Sequence, residues 1–307
     1  MTYVPTSTGP AVAAACAGFG RDIAINLAQI AALVEDARRC GVGVLALPEA
    51  ALGGYLSALG AGRDGSHDES PGDLPPAMDL DGPELRRVAE IAREMTVVVG
   101  LCESDGADRY NTAAIVTGDG VLGVHRKVHQ PLGESLFYAA GSEYSCVDTP
   151  AGRVGALICY DKAFPEAARA LAVDGAEIIA CISAWPASRT ATAASIADDR
   201  WTHRFNLFDA ARALENQVVW LAANQHGTFG RLRFVANAKV VGPGGEVLAS
   251  TGVEAGLAVS QLDVADALET ARRSMFHLGD RRADTYGAVA GLPAIPAQGS
   301  AQEVVHA

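Results

Sequence analysis

The sequence has no run of about 18 apolar residues, so it offers no segment long enough to cross a bilayer as a helix. Its first residues lack a basic start followed by an apolar core, and no secretory leader is expected there. Positive charge is short as well. Lys and Arg number 24 against 36 Asp and Glu, and the net charge of -12 disfavours nucleic acid or an anionic membrane as a partner. No Cys-x-x-Cys pair occurs. The six cysteines (16, 40, 102, 146, 159 and 181) stand far apart, mostly in apolar runs, which suits reduced thiols in the cytosol better than a disulfide framework. No phosphate-binding loop, dinucleotide fingerprint or close metal-ligand cluster is present. Neither a composition shift nor a short-period repeat divides the chain.

What is present is a core. Hydrophobic residues make up 49% of the 307, and charged residues 20%. Residues 11–19 read as a buried strand, and Asp22 as the cap of a helix with apolar positions at Ile25, Leu27, Ile30, Leu33 and Val34. Strands follow at Val42–Leu47 and Thr96–Leu101, with a helix at Glu84–Glu94 between them. Tyr110–Thr117 and Val121–Lys127 form a hairpin around Gly118-Asp119-Gly120. Further strands are expected at 144–149, 153–159, 177–183, 218–223, 234–241, 246–250 and 257–262, with helices at 166–173, 198–215 and 264–273. Residues 60–80 and 128–143 fit neither period and read as loops, the first of a kind that often shapes a pocket. Alternating strands and helices with interposed hairpins predict a mixed sheet in an α/β or α+β domain over 1–287, with 288–307 as an arm or frayed tail.

Three polar residues each end an apolar strand: Glu49, Lys127 and Cys159. A thiol is mostly protonated at neutral pH, its reference pKa being about 8.5. A carboxylate can take that proton as a general base. An ammonium can stabilise the oxyanion of a tetrahedral intermediate, assisted by a backbone N–H at the turn. The three together would run acyl transfer through a thioester. Each residue taken singly has a plainer explanation in packing or solvation.

Leu45-Ala46-Leu47-Pro48-Glu49 with Gly54-Tyr55, His125-Arg126-Lys127 with Glu134, and Leu157-Ile158-Cys159-Tyr160-Asp161 with Phe164-Pro165-Glu166 resemble, in order and separation, the three signatures of the nitrilase superfamily of carbon–nitrogen hydrolases. Tyr110-Asn111-Thr112, Ala222-Ala223-Asn224 and Asp280-Arg281-Arg282 with Tyr286 extend the likeness over about residues 10–287. The resemblance implies a four-layer α-β-β-α sandwich and hydrolysis without a cofactor. By motif match Glu49 is the base, Lys127 the oxyanion cation and Cys159 the nucleophile. Glu134 matches a second glutamate of the family, which would hold Lys127 or position the substrate amide and the water. A homodimer or larger homo-oligomer is also implied.

The resemblance leaves the bond open. Cys-Tyr-Asp followed by Phe-Pro-Glu looks like the amidase and carbamoylase branches. Pro131-Leu132-Gly133-Glu134, with its glutamate seven residues after Lys127, resembles nitrilases. The residues beside the nucleophile shape the acyl pocket and favour a small carboxamide, with nitriles, N-carbamoyl compounds and a non-catalytic binding role as alternatives. Tyr55, Phe137, Tyr160 and Trp185, each near a catalytic strand end, are expected to line the pocket. His129, two residues beyond Lys127, would share its face on a continuing strand. Arg189 and Arg204 are available to hold a substrate carboxylate.

Overall fold

The computed structural model describes residues 9–59 and 74–286. In chain order its elements are β1 (Ala11–Ala17), α1 (Ile23–Arg39), β2 (Val42–Ala46), β3 (Ala77–Met78), α2 (Pro83–Ala92), β4 (Thr96–Asp105), β5 (Asp108–Thr117) and β6 (Gly120–Arg126). Then come β7 (Cys146–Thr149), β8 (Gly152–Ile158), α3 (Pro165–Val173), β9 (Ile178–Ser183), α4 (Arg200–Asn216) and β10 (Val219–Gln225). The last are β11 (Thr228–Phe229), β12 (Leu232–Arg233), β13 (Lys239–Val241), β14 (Val247–Ser250), β15 (Gly256–Gln261) and α5 (Val264–Arg272). Local chemistry sets several boundaries. Asp22 caps α1 by accepting from the Ile25 amide at 3.0 Å, and Pro83 and Pro165 open α2 and α3, where a missing N–H costs nothing.

The main strand order is β6-β5-β4-β2-β1-β10-β9-β8-β7. Strands β1 and β10 pair only at Cys16 with Asn224 and Ala17 with Gln225, so the path turns over between them. The two halves then face each other. Val12, Ala14, Val44, Ala46, Val98 and Ile115 of one half share a core with Ala156, Ile158, Ile179 and Cys181 of the other. Alternate residues of the first half point outward, where Ala11, Ala13, Leu45, Val97 and Val99 pack on Ile30 and Val34 of α1 and Leu85 and Val88 of α2. Helices α3 and α4 bring Ala168, Leu171, Phe205 and Ala213 to the second half. This is the mixed α/β architecture expected, in four layers. Each fully buried Val, Leu or Ile here contributes about 1.5–3 kcal/mol.

Strands β4, β2, β1, β10, β9 and β8 run parallel to one another along that order. Strand β5 is antiparallel to β4 and β6 antiparallel to β5, so β6 runs the same way as β4. The C-terminal ends of β2, β6, β8, β9 and β10 therefore meet at one edge, and the residues after them form the site.

The expected strand at 234–241 forms only over its last three residues. Residues 234–238 leave the ladder and pairing starts at Lys239, because Ala236 and Asn237 adopt left-handed backbone (φ 58° and 62°). Asn224 Nδ2 donates to the Ala236 carbonyl at 2.8 Å and occupies a group the ladder would use. Residues 60–73 of the expected loop and the 288–307 tail lie outside the described residues.

Candidate active site

Glu49 lies three residues past β2. The Leu47 amide still pairs with the Val98 carbonyl at 2.9 Å, and then Ala50 turns the chain with φ 57°. Gly100 of β4 makes this passage possible. A Cβ there would stand 2.3 Å from the Ala50 nitrogen and 2.8 Å from Glu49 Cα. The buried Glu49 carboxylate is fixed at both oxygens. Oε1 accepts from Asn111 Nδ2 at 2.7 Å and Lys127 Nζ at 2.8 Å, and Oε2 accepts from the Ala184 amide, just past β9, at 2.6 Å. Gln225 Nε2, at the end of β10, donates to the Glu49 carbonyl at 2.8 Å.

Lys127 directly follows β6, and its amide donates to the Asn111 carbonyl at 2.8 Å. Nζ lies 2.8 Å from Glu49 Oε1 and 2.8 and 2.7 Å from Glu134 Oε1 and Oε2. Leu132 and Gly133, both left-handed (φ 50° and 90°), turn the intervening loop so that Glu134 faces back to Lys127. The Tyr55 hydroxyl also donates to Glu134 Oε1.

One ammonium thus serves two carboxylates in a region sealed from water. Burial alone would lower the Lys127 ammonium, but Glu134 and Glu49 outweigh it and hold it well above the usual lysine range. Burial pushes the Glu134 carboxyl up to about 7, with Lys127 pulling it down and Glu49 repelling it. Burial and the same two carboxylates push the Tyr55 phenol up, so it remains a donor.

Cys159 is the first residue after β8 and opens a 3₁₀ turn, Cys159–Ala163. Its φ of 51° is left-handed, an uncommon state for a residue with a side chain. Asp161 holds the turn. Its Oδ2 accepts from the Ile158 amide at 3.2 Å and contacts His125 Nε2 at 2.8 Å, while Oδ1 accepts from the His129 amide at 2.9 Å and contacts His129 Nδ1 at 2.9 Å. Burial would raise this carboxyl, but the hydrogen bonds from the two histidines hold it far below the usual range. The Cys159 thiol is only 4% exposed, and burial raises it well above the usual range. Glu49 and Glu134 push the same way, and Lys127 and Lys162 oppose them. At rest it is a neutral thiol, and ionisation needs a base beside it.

A cleft of about 460 Å³ opens onto Cys159, with Tyr55, Tyr160, Ala184 and Trp185 among its inner walls and Pro131, Leu132, Arg189, Arg200 and Trp201 among the rest. Tyr55, Tyr160 and Trp185 were expected there. Phe137 and His129 are not among its walls. Phe137 packs in the apolar cluster of Tyr55, Tyr138 and Leu232. His129 is claimed by Asp161 and stacks on Phe164, ring centroids 3.6 Å apart. Arg189 lines the cleft, whereas Arg204 lies over the Trp201 ring. No role was expected for Asn111, Gln225 or Asn224, although Asn111 and Asn224 stand in segments that carry the family likeness; Asn224 Oδ1 accepts from the Trp185 amide at 2.8 Å. Asn224 and Gln225 carried a usable sign, since they too are polar residues ending an apolar strand. Among the described residues no group of three or more His, Cys, Asp or Glu side chains is placed to hold a metal ion, and no helix is long and apolar enough to cross a membrane.

Residues 11–272 match the family model described as Carbon-nitrogen hydrolase. An N-carbamoylputrescine amidase of Solanum tuberosum is 29% identical over 285 residues, covering 86% of this chain and 89% of its own. A probable nitrilase of Schizosaccharomyces pombe is 29% identical over 213 residues, covering 67% and 74%. Among solved structures, a mutant of the amidase from Nesterenkonia sp. AN1, showing covalent addition of the acetamide moiety of fluoroacetamide at its active site cysteine, superposes with a TM-score of 0.71. It is 25% identical and covers 93% of this chain and 98% of that one.

Proposed function

The chain belongs to the carbon–nitrogen hydrolase family, and from that premise we propose that it hydrolyses a small carboxamide to acid and ammonia through a thioester on Cys159. The reading rests on one observation. Glu49 and Glu134 form a buried cluster bridged by Lys127, at the same sheet edge as the strained turn that presents Cys159 to the cleft.

In this reading the Glu49 carboxylate takes the thiol proton as the sulfur attacks the amide carbon. A tetrahedral intermediate forms, and its oxyanion is met by the Lys127 ammonium and a backbone N–H of the turn. The C–N bond breaks as Glu49 returns the proton to the leaving nitrogen, and ammonia departs. Water then enters, Glu49 takes one of its protons, and hydroxide adds to the thioester. The thiolate leaves and is reprotonated from Glu49, which restores the resting site. Glu134 keeps Lys127 in place and orients the amide. The aromatic walls Tyr55, Tyr160 and Trp185 favour an apolar or aromatic acyl group.

The nitrilase relative, together with the Pro-Leu-Gly-Glu loop that carries Glu134, supports a second reading. In it the same thiolate adds to a nitrile, giving a thioimidate before the thioester. Ammonia release from matched carboxamides, nitriles and N-carbamoyl compounds separates the possibilities. Release from a carboxamide with none from its nitrile supports the amidase, and the reverse supports the nitrilase. Turnover of N-carbamoyl compounds alone would move the scissile bond to a ureido group.

A further inference from the structure

Behind the turn that carries Cys159, three ionisable side chains share a dry compartment. Lys162, three residues along the same turn, places Nζ 2.8 Å from Asp209 Oδ1 of α4. Lys239 of β13 reaches Oδ2 at 2.7 Å, and Trp220 Nε1 donates to Oδ1 at 3.0 Å. All three charged side chains are buried. The two ammonium groups lie 3.2 and 4.1 Å from the centroid of the same Phe205 ring, and Lys162 also faces the Trp185 ring at 5.2 Å. Arg212 ties the turn to α4, its Nε donating to the Lys162 carbonyl at 2.8 Å.

Two ammonium groups share one carboxylate here, so the compartment has a positive charge to spare. Among the described residues no other carboxylate is bonded to either ammonium. Asp161 is committed to His125 and His129, and burial pushes the Cys181 thiol on β9 up to about 12. Burial and repulsion from Lys162 bring the Lys239 ammonium down to about 8, against the attraction of Asp209. An unbalanced buried charge costs stability. Packing does not require it, since a methionine at 162 would fill a similar volume and leave Lys239 and Asp209 paired one to one. The cluster at Glu49, Lys127 and Glu134 has the opposite imbalance, and Cys159 interacts with both: the two glutamates disfavour its thiolate, and Lys127 and Lys162 favour it.

We propose that Lys162, anchored by Asp209 and the Phe205 ring, is a positioning cation for the nucleophile. It fixes the turn under Cys159 and the Trp185 wall, and its charge offsets the thiolate that forms as the thiol ionises. The proton still passes from Cys159 to Glu49, and no new bond is made or broken. The inference rests on reading Cys159 as the nucleophile. The groups that bear on the Cys159 thiol are Glu49, Glu134, Lys127 and Lys162, with Tyr55 beside them; around Lys162, Asp209 is bonded to its ammonium, Lys239 shares that carboxylate and Arg212 holds its carbonyl.

The test is the pH dependence of Cys159 alkylation by iodoacetamide, followed by peptide mass spectrometry, alongside kcat, KM and Tm. In Lys162→Met the alkylation midpoint rises by about one pH unit and the rate at neutral pH falls about tenfold. The kcat falls in step while KM stays within about threefold, and Tm is kept or raised. Lys162→Arg restores the midpoint. Lys239→Met, which removes a lysine outside the Cys159 turn, shifts it less. A merely structural lysine gives the opposite pattern, a lowered Tm with an unmoved midpoint, and that result overturns the proposal. Failure of Lys162→Met to fold also overturns it, because Asp209 would then not be satisfied by Lys239 alone. No labelling of Cys159 in the unaltered protein would bring down the functional reading and this inference together. Labelled Cys159 whose midpoint ignores Lys162 removes only the inference.

Discussion

A single methyl group at Gly100 tests whether the position of Glu49 is as finely set as the geometry implies. The residue sits inside β4, where alanine would ordinarily be preferred to glycine by about 0.5–1 kcal/mol. Its Cβ, however, would lie 2.3 Å from the Ala50 nitrogen, 2.8 Å from Glu49 Cα and 2.9 Å from the Glu49 carbonyl carbon. Carbon and nitrogen do not approach closer than about 3 Å, so the two backbones must separate by about 0.7 Å or more. Both are held on their far sides, Glu49 by Ala184 and Gln225 and β4 by β5, so the strain falls on the carboxylate. Overpacking of this kind costs about 1–3 kcal/mol, and a displacement near 1 Å at a catalytic group costs on the order of 100-fold in rate. Gly100→Ala should therefore lower Tm slightly and kcat heavily, with Cys159 still present for slow alkylation. Steady-state kinetics and a thermal melt on one preparation check it. Wild-type kcat in a folded Gly100→Ala protein would refute the claim that Glu49 must sit where it does.

Lys127→Met leaves Glu49 and Glu134 buried without the ammonium they share. Stability should fall by about 3–5 kcal/mol in a denaturant titration, and turnover should be lost. Asp161→Asn weakens the bonds that hold the Cys159 turn and costs about 1.5–3 kcal/mol at neutral pH. The sign follows from the depressed carboxyl. Its contribution is full above the unfolded value of about 3.9 and is lost as pH falls toward the lower folded value, so the gap between wild type and variant narrows under strongly acidic conditions. Urea midpoints at neutral and acidic pH measure this gap, and a constant gap would count against it. EDTA should leave turnover unchanged, and recovery that depends on added metal would contradict a reaction carried by these side chains alone.

The outline of the site was legible because a charged or reactive residue that ends an apolar strand stands out in a sequence. Glu49, Lys127 and Cys159 share that sign, and parallel strands deliver such ends to one sheet edge. That Lys127 reaches the same edge depends on two successive antiparallel turns, and the first was hidden. Glu103, Ser104 and Asp105 broke the apolar run at Leu101, yet β4 continues to Asp105 because Glu103 is taken by Thr112 and Arg126. His129 was misplaced for a related reason. Alternation from Lys127 holds only on a continuing strand, but β6 ends at Arg126 and Asp161 captures the imidazole. Asn111 lay at the start of an expected strand, where nothing in the local pattern separates a ligand of Glu49 from an ordinary buried amide. The Lys162, Asp209 and Lys239 cluster joins three distant segments, and no spacing announces it.

The central claim is a covalent acyl group on Cys159. Rapid mixing with a carboxamide that turns over, acid quenching and intact-mass measurement should show the protein heavier by the substrate minus ammonia. Peptide mapping should place that mass on Cys159, and Cys159→Ala should neither gain it nor release ammonia. Steady ammonia release by folded Cys159→Ala, or an adduct mapped to another residue, would contradict the account.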